Sequence, residues 1–202
     1  TFATFALKRN GSAPSSVSKI LSSLNSASCG TIAHMLRELH AELGIPEDYG
    51  LDGSRPVFGE ATDLVEVGPN LVGRMQSLER EAAARWIEMQ AGAAADGVLL
   101  LIVSGYRSID YQARLIRKKL NAGQSVSEIL AVNAAPGHSE HHTGRAVDIA
   151  TPGSRPLTEE FENSGAFRWL QGNAGTYGFS MSYPRNNPAG FIYEPWHWAL
   201  IA

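Results

Sequence analysis

The sequence predicts an α+β fold, a small antiparallel sheet packed by helices. Three observations lead there. Apolar residues recur at helical spacing over several stretches of the chain. Val98–Val103 consists of Val, Leu and Ile alone, the signature of a buried strand. Runs of helix and strand with short hairpin-like returns complete the pattern.

Taken in order, residues 1–30 are rich in Ser, Ala, Thr and Gly, with a weak helical pattern near Val17–Leu24. Ile32, Met35, Leu36, Leu39 and Leu43 then recur on one helical face, and Gly44 is the stop, which predicts a helix over Thr31–Leu43. Gly50–Gly59 is loop, marked by Asp52-Gly53 and Arg55-Pro56. A boundary near residue 60 divides a partly helical N-terminal extension, 1–60, from a second domain, 61–202.

Within that domain Asp63–Val67 is predicted as a short strand. Leu78, Ala82, Trp86, Met89 and Ala93 mark one face of a long helix that Asp96-Gly97 ends. The Val98–Val103 strand follows. Ser108 is placed to cap a helix that runs to about Leu120 and stops at Asn121–Gly123. Val126–Val132 is a further helix, Gly144–Ala150 a strand, and Phe167–Asn173 lies in a helix. Phe179–Tyr183 and Trp196–Leu200 are the last strands.

Composition narrows the function classes. With 17 Lys+Arg against 20 Asp+Glu, the net charge of −3 offers no basic face for a nucleic acid. The Val98–Val103 run is far too short to span a bilayer. The chain starts at Thr1, not Met, and shows no signal peptide, as expected of a processed or trimmed product. Cys29 is the single cysteine, so no disulfide forms within the chain, and any metal must be held by His, Asp or Glu.

Three segments carry chemistry. Pro136–Asp148 holds His138, His141, His142 and Asp148 among glycines. A zinc hydrolase takes three protein ligands and keeps one position open. A turn at Gly144 lets His141 and Asp148 converge, and His197 in Tyr193–Trp198 is the best candidate for the third ligand. Neighbours in extended chain face opposite ways, so His142 is expected to point away when His141 faces the metal, with His138 on a loop. Glu194 precedes His197 by three residues, with Pro195 fixing the backbone between them. A carboxylate there is able to take a proton from an attacking water and pass it to a leaving amine. Ser104–Gln112 follows the buried strand directly and opens a helix, and its Arg107 has a fork suited to a carboxylate or a developing oxyanion. No Ser-x-x-Lys or Gly-x-Ser-x-Gly pattern points to a serine acyl-enzyme.

The Ser-Gly-Tyr-Arg-Ser…Gln pattern (Ser104–Gln112), the Ser-x-His-x-x-Gly-x-Ala-x-Asp pattern (Ser139–Asp148) and Glu-Pro-Trp-His (Glu194–His197) together resemble the zinc D-alanyl-D-alanine carboxypeptidases of the VanY type, over residues 62–200. The resemblance implies a hedgehog-like zinc fold and one Zn²⁺ per chain on His141, Asp148 and His197. It implies Glu194 as general base and acid, and Arg107 near the scissile carbonyl. It further implies Ser139 and Gln112 at the substrate's C-terminal end, peptidoglycan stem peptides ending in D-alanine as substrate, and a bacterial periplasmic or extracytoplasmic location. An L,D-carboxypeptidase or a cell-wall endopeptidase keeps the same chemistry on another bond. A non-catalytic zinc module, like the signalling domain of hedgehog proteins, is the rival from a different class; Glu194 and Arg107 together favour the enzyme.

Overall fold

A computed structural model describes residues 32–201. The helical pattern near Val17–Leu24 lies outside the described residues. The chain divides after Glu38, and the second unit, from Leu39 on, is compact. Residues 32–42 are helical (α1), agreeing with the Thr31–Leu43 spacing, and 43–63 run in turns and loop.

The second unit contains two antiparallel sheets. Strands β1 (Leu64–Pro69) and β2 (Met75–Glu79) form a hairpin with a bulge between Glu66 and Gly68. A four-stranded sheet follows in the order β3-β4-β6-β5, where β3 is Leu101–Ser104, β4 Ala146–Ala150, β5 Phe179–Met181 and β6 His197–Leu200. The helices are α2 (Arg80–Ala95), α3 (Ile109–Asn121), α4 (Val126–Val132) and α5 (Gly165–Asn173). The α+β expectation holds.

The differences have local causes. Leu78, expected at the start of α2, lies in β2, and Glu79 is the cap, its carboxylate accepting from the backbone N–H of Glu81 and Ala82. The i, i+4 spacing of Leu78 and Ala82 imitates one more helical turn, while β2 itself has too few apolar residues to announce a strand. The strand expected over Val98–Val103 begins only at Leu101, and Leu99 is exposed. Ser108 caps α3 as expected, its hydroxyl accepting from Tyr111 N–H.

The main core lies between α2, α5 and one face of the larger sheet. Ala82, Trp86 and Met89 of α2 and Phe167 and Leu170 of α5 meet Ile102, Val147, Ile149 and Trp198. A second cluster joins Leu43, Ile45 and Tyr49 to Ala113 and Ile116 of α3 and Ile129 and Leu130 of α4. Residues 39–60 therefore supply part of the packing beneath α3, which opens at the chemical segment Ser104–Gln112.

Strand alternation then sets which face carries chemistry. On β4, Val147 and Ile149 enter the core, so Asp148 between them points to the other face. On β6, Trp198 enters the core and His197 does not. Asp148 pairs with His197 across β4–β6 and with Ser104 across β3–β4. Residues directly opposite in an antiparallel pair share a face, about 4.5–5.5 Å apart at Cβ.

Candidate active site

His141 sits in a short 3₁₀ turn, Glu140–Thr143, closed by Gly144 at φ 66°. That conformation strains any residue with a Cβ. A Cβ at Gly144 would also lie 2.7 Å from the backbone nitrogen of Glu79, which donates to the Gly144 carbonyl. The turn thus presses against the β2–α2 junction and brings His141 back over β4.

The loop after β3 closes the other side. Gln76 of β2 accepts from Gly105 N–H, and the Ser77 carbonyl accepts from Tyr106 N–H. A Cβ at Gly105 would stand 2.6 Å from that Ser77 carbonyl, so only glycine fits. The held loop points the Gly105 carbonyl at His141 Nδ1, 2.7 Å away. A carbonyl only accepts, so Nδ1 carries the proton and Nε2 presents a lone pair. Nε2 is buried, has no hydrogen-bond partner, and stands 3.3 Å from Asp148 Oδ2. Burial, with Arg107 adding to it, lowers the His141 pKa to about 4, so the ring is neutral. Two lone-pair atoms facing each other in a buried site call for a cation between them.

His197 completes the group. Its Nδ1 lies 3.0 Å from Asp148 Oδ1 and 3.9 Å from Glu194 Oε2. Ligand atoms of His141, Asp148 and His197 all fall within 4.8 Å of one another. A neutral imidazole, a carboxylate and a second imidazole form a donor set suited to zinc. Burial acts to lower the His197 pKa, but hydrogen bonds to Asp148 and Glu140 outweigh it and raise the value to about 10. Burial likewise acts to raise Asp148, and the two histidines overcome it, holding the carboxylate well below its usual range.

The other histidines are occupied. His142 is fully buried, donates from Nδ1 to the Arg107 carbonyl at 2.6 Å, and accepts at Nε2 from Gly137 N–H at 3.1 Å. His138 donates to the Arg55 carbonyl at 2.9 Å. The expectation that both stand aside agrees with these contacts, but the reason differs. They belong to a 3₁₀ turn and its approach, not to extended chain; both ring nitrogens of His142 are used, and Nδ1 of His138 is.

Glu194 is brought beside His197, and burial pushes its carboxyl up to about 7, with the His197 cation pulling the other way. Arg107 Nη2 lies 3.8 Å from Asp148 Oδ2, while its buried Nε has no partner. Tyr183 lies against His197 with ring centroids 4.7 Å apart.

A narrow cavity of about 30 Å³ opens on the site, lined by Arg107, Gln112, Ser139, Val132, Phe191 and Glu194 among others. A roomier groove of about 290 Å³ shares Arg107, Val132, Asn133 and Glu194 with it and is further bounded by Lys119, Leu157, Ile192 and Trp196. Gln112 donates from Nε2 to the Ala134 carbonyl at 2.8 Å, and its Oε1 is buried without a partner. At that position Gln112 offers a free acceptor.

Sequence reasoning passed over Glu140. Its Oε2 lies 2.9 Å from His197 Nε2 and accepts from Ser182 Oγ at 2.6 Å. Its place next to His141 in the sequence does not reveal this contact, which joins residues 57 apart. Ser182 and Tyr183, outside the three segments, carried no signal.

The sequence profile of the family described as VanY, D-alanyl-D-alanine carboxypeptidase, matches residues 75–202. YodJ of Bacillus subtilis is 37% identical over 160 residues, covering 76% of this chain and 57% of its own length. The structure of the LdcB LD-carboxypeptidase is similar at a TM-score of 0.64 and 34% identity, covering 73% of this chain and 72% of that one. A Zn(II) complex of a mutant of the vancomycin-resistance D,D-pentapeptidase VanY is similar at a TM-score of 0.54 and 26% identity, covering 70% of this chain and 80% of that one. The chain spans 36% to 57% of the length of the first curated relatives it matches.

Proposed function

Because the chain belongs to the VanY family of D-alanyl-D-alanine carboxypeptidases, we propose that it is a zinc-dependent carboxypeptidase that removes the terminal D-alanine from peptidoglycan stem peptides. The observation that carries this reading is the unpartnered Nε2 of His141, 3.3 Å from Asp148, with His197 and Glu194 alongside. His141, Asp148 and His197 hold one zinc per chain. Bound zinc supplies Lewis acidity for the scissile carbonyl and lowers the pKa of water.

The chain's own residues do the rest. Glu194 takes the proton of the attacking water and returns it to the departing amine of D-alanine. Its carboxyl, poised near neutral pH by burial, is suited to both transfers. Arg107 donates to the oxyanion of the tetrahedral intermediate. Ser139 and Gln112 line the narrow end of the site, where a methyl side chain fits, and hold the terminal residue. Gln112 does so by accepting at its free Oε1, and Ser139 together with Arg107 meets the terminal carboxylate. The rest of the peptide extends into the roomier groove by Lys119 and Ile192. A cell-wall substrate implies an extracytoplasmic site of action in a bacterium. Among the described residues no helix is long and apolar enough to cross a membrane.

A second reading has one observation in its favour: the LdcB LD-carboxypeptidase is more similar, by identity and TM-score, than the VanY pentapeptidase. Both activities release a terminal D-alanine and differ in the residue before it. The test is zinc-loaded protein with a pentapeptide ending in D-Ala-D-Ala, the tetrapeptide lacking the last residue, and C-terminally amidated and L-alanine-terminated versions. Release of D-alanine from the pentapeptide alone is the expected result. Release from the tetrapeptide alone makes the enzyme an L,D-carboxypeptidase. Equal cleavage of the amidated peptide makes it an endopeptidase. No cleavage of any leaves a zinc-binding module.

A further inference from the structure

An imidazole offers a metal one nitrogen, and which one depends on what holds the other. For His141 the answer is visible in the Gly105 carbonyl, which takes the Nδ1 proton and leaves Nε2 for the metal. For His197 the corresponding group lies outside the ligand set. Its Nδ1 faces Asp148 and Glu194. Its Nε2, on the opposite edge of the ring, faces Glu140 Oε2 at 2.9 Å.

Glu140 is itself anchored. Ser182, just past β5, donates to the same Oε2 at 2.6 Å, and the Thr143 hydroxyl donates to the Glu140 backbone carbonyl at 2.6 Å. Tyr183 packs at a 34° tilt against the His197 ring. The carboxylate is thus tied to the 3₁₀ turn that carries His141 and to the end of β5, while it grips a ring carried by β6. It is not a member of the ligand cluster.

We propose that Glu140 is a positioning residue for the zinc centre, holding the proton on His197 Nε2 so that Nδ1 is the atom turned to the metal. This rests on the zinc reading above. A carboxylate on the far nitrogen of a ligating histidine fixes its tautomer and orientation and makes the ligand more basic. Loss of such a partner costs about 10–100-fold in metal affinity or activity. Ser182 acts one step further out, by keeping Glu140 in place.

The experiment measures zinc affinity by competition with a chromophoric chelator, and the visible spectrum of the cobalt(II)-substituted protein, for wild type, Glu140→Ala, Glu140→Gln, Ser182→Ala and His197→Ala. Near-UV circular dichroism verifies that each remains folded. Glu140→Ala should weaken zinc binding by about 10–100-fold and shift the cobalt bands. Glu140→Gln, whose amide oxygen still accepts from Nε2, should recover part of the affinity, and Ser182→Ala should give a smaller loss in the same direction. The Ser182 variant leaves Glu140 itself intact, so it tests the proposal even if Glu140→Ala does not fold. Wild-type affinity and an unchanged cobalt spectrum in the Glu140 variants, alongside loss of binding in His197→Ala, overturn this proposal and leave the zinc reading standing. Failure of wild type to bind zinc through His141 and His197 removes both.

Discussion

Glu194 combines a position beside His197 with a carboxyl that burial raises to about 7. A general base must be deprotonated, so activity should rise as pH increases through the Glu194 pKa. A bound dication favours the carboxylate, which puts the acid limb of kcat/KM at or below about 7 in the zinc enzyme. Glu194→Gln is expected to keep zinc, lose about 10²–10⁴-fold in rate, and lose that limb. Near-wild-type turnover by Glu194→Gln would remove the general-base role. At this scale the ligand types and the Glu-Pro-Trp-His run were legible in sequence, because metal and proton chemistry need particular functional groups. Glu140 was not, because a carboxylate next to a ligand in sequence means nothing until the backbone turns it toward the second histidine.

At the scale of elements the site hangs on two devices, the β4–β6 register and the Gly144 turn. The register sets Asp148 opposite His197, while the alternating partners Val147 and Trp198 enter the core. A slip by one residue would send the ligands into the core, so apolar burial itself enforces the metal geometry. Gly144→Ala meets both a left-handed φ of 66° and the Glu79 backbone nitrogen at 2.7 Å. Substitution should destabilise the fold by about 1–3 kcal/mol, read as a lower denaturant midpoint with unchanged slope, and should also weaken zinc binding because His141 shifts. A midpoint equal to that of wild type would show that the turn relaxes at no cost. The helices were legible because their apolar faces repeat and because Ser108 stands at the right offset to cap α3. Strand β2 was not, since two buried residues, Gln76 and Leu78, are too short a pattern.

At the scale of the molecule the second core raises a question about where the folding unit begins. Leu43, Ile45 and Tyr49 are buried against α3 and α4, and Tyr49 accepts from Ala135 N–H. Burying each such side chain contributes about 1.5–3 kcal/mol, and three together approach a domain's whole margin of about 5–15 kcal/mol. A chain beginning at Leu39 should fold, and one beginning at Ala61 should be much less stable or aggregate, as thermal melts of the two truncations will test. Equal melting temperatures would mean that residues 39–60 are dispensable.

Zinc also couples to protonation of the whole chain. The raised His197 and the depressed Asp148 are one interaction seen from its two ends. Folded without metal, the His197 contribution to stability is fully present below pH 6.5 and is lost as pH rises through about 10. The Asp148 contribution is present above 3.8 and is lost as pH falls below that. At neutral pH His197 therefore carries a proton that zinc must displace. Zinc binding should release about one proton per chain, and affinity should rise with pH up to about 10. Calorimetry in buffers of differing ionisation enthalpy measures that number, and a value near zero would show that His197 carries no extra proton before zinc binds.

By itself the sequence determined the fold class, most of the helices, the three chemical segments and the family they resemble. These follow from local periodicity and from residue types that a reaction cannot do without. Only the tertiary structure decided the strand order β3-β4-β6-β5, the tautomers of His141 and His142, and the packing of residues 39–60 beneath α3. The grip of Glu140 on His197 was decided there too. Each of these depends on contacts between residues far apart in the chain, whose partners are chosen by which faces the core buries. A one-dimensional pattern carries no record of that choice.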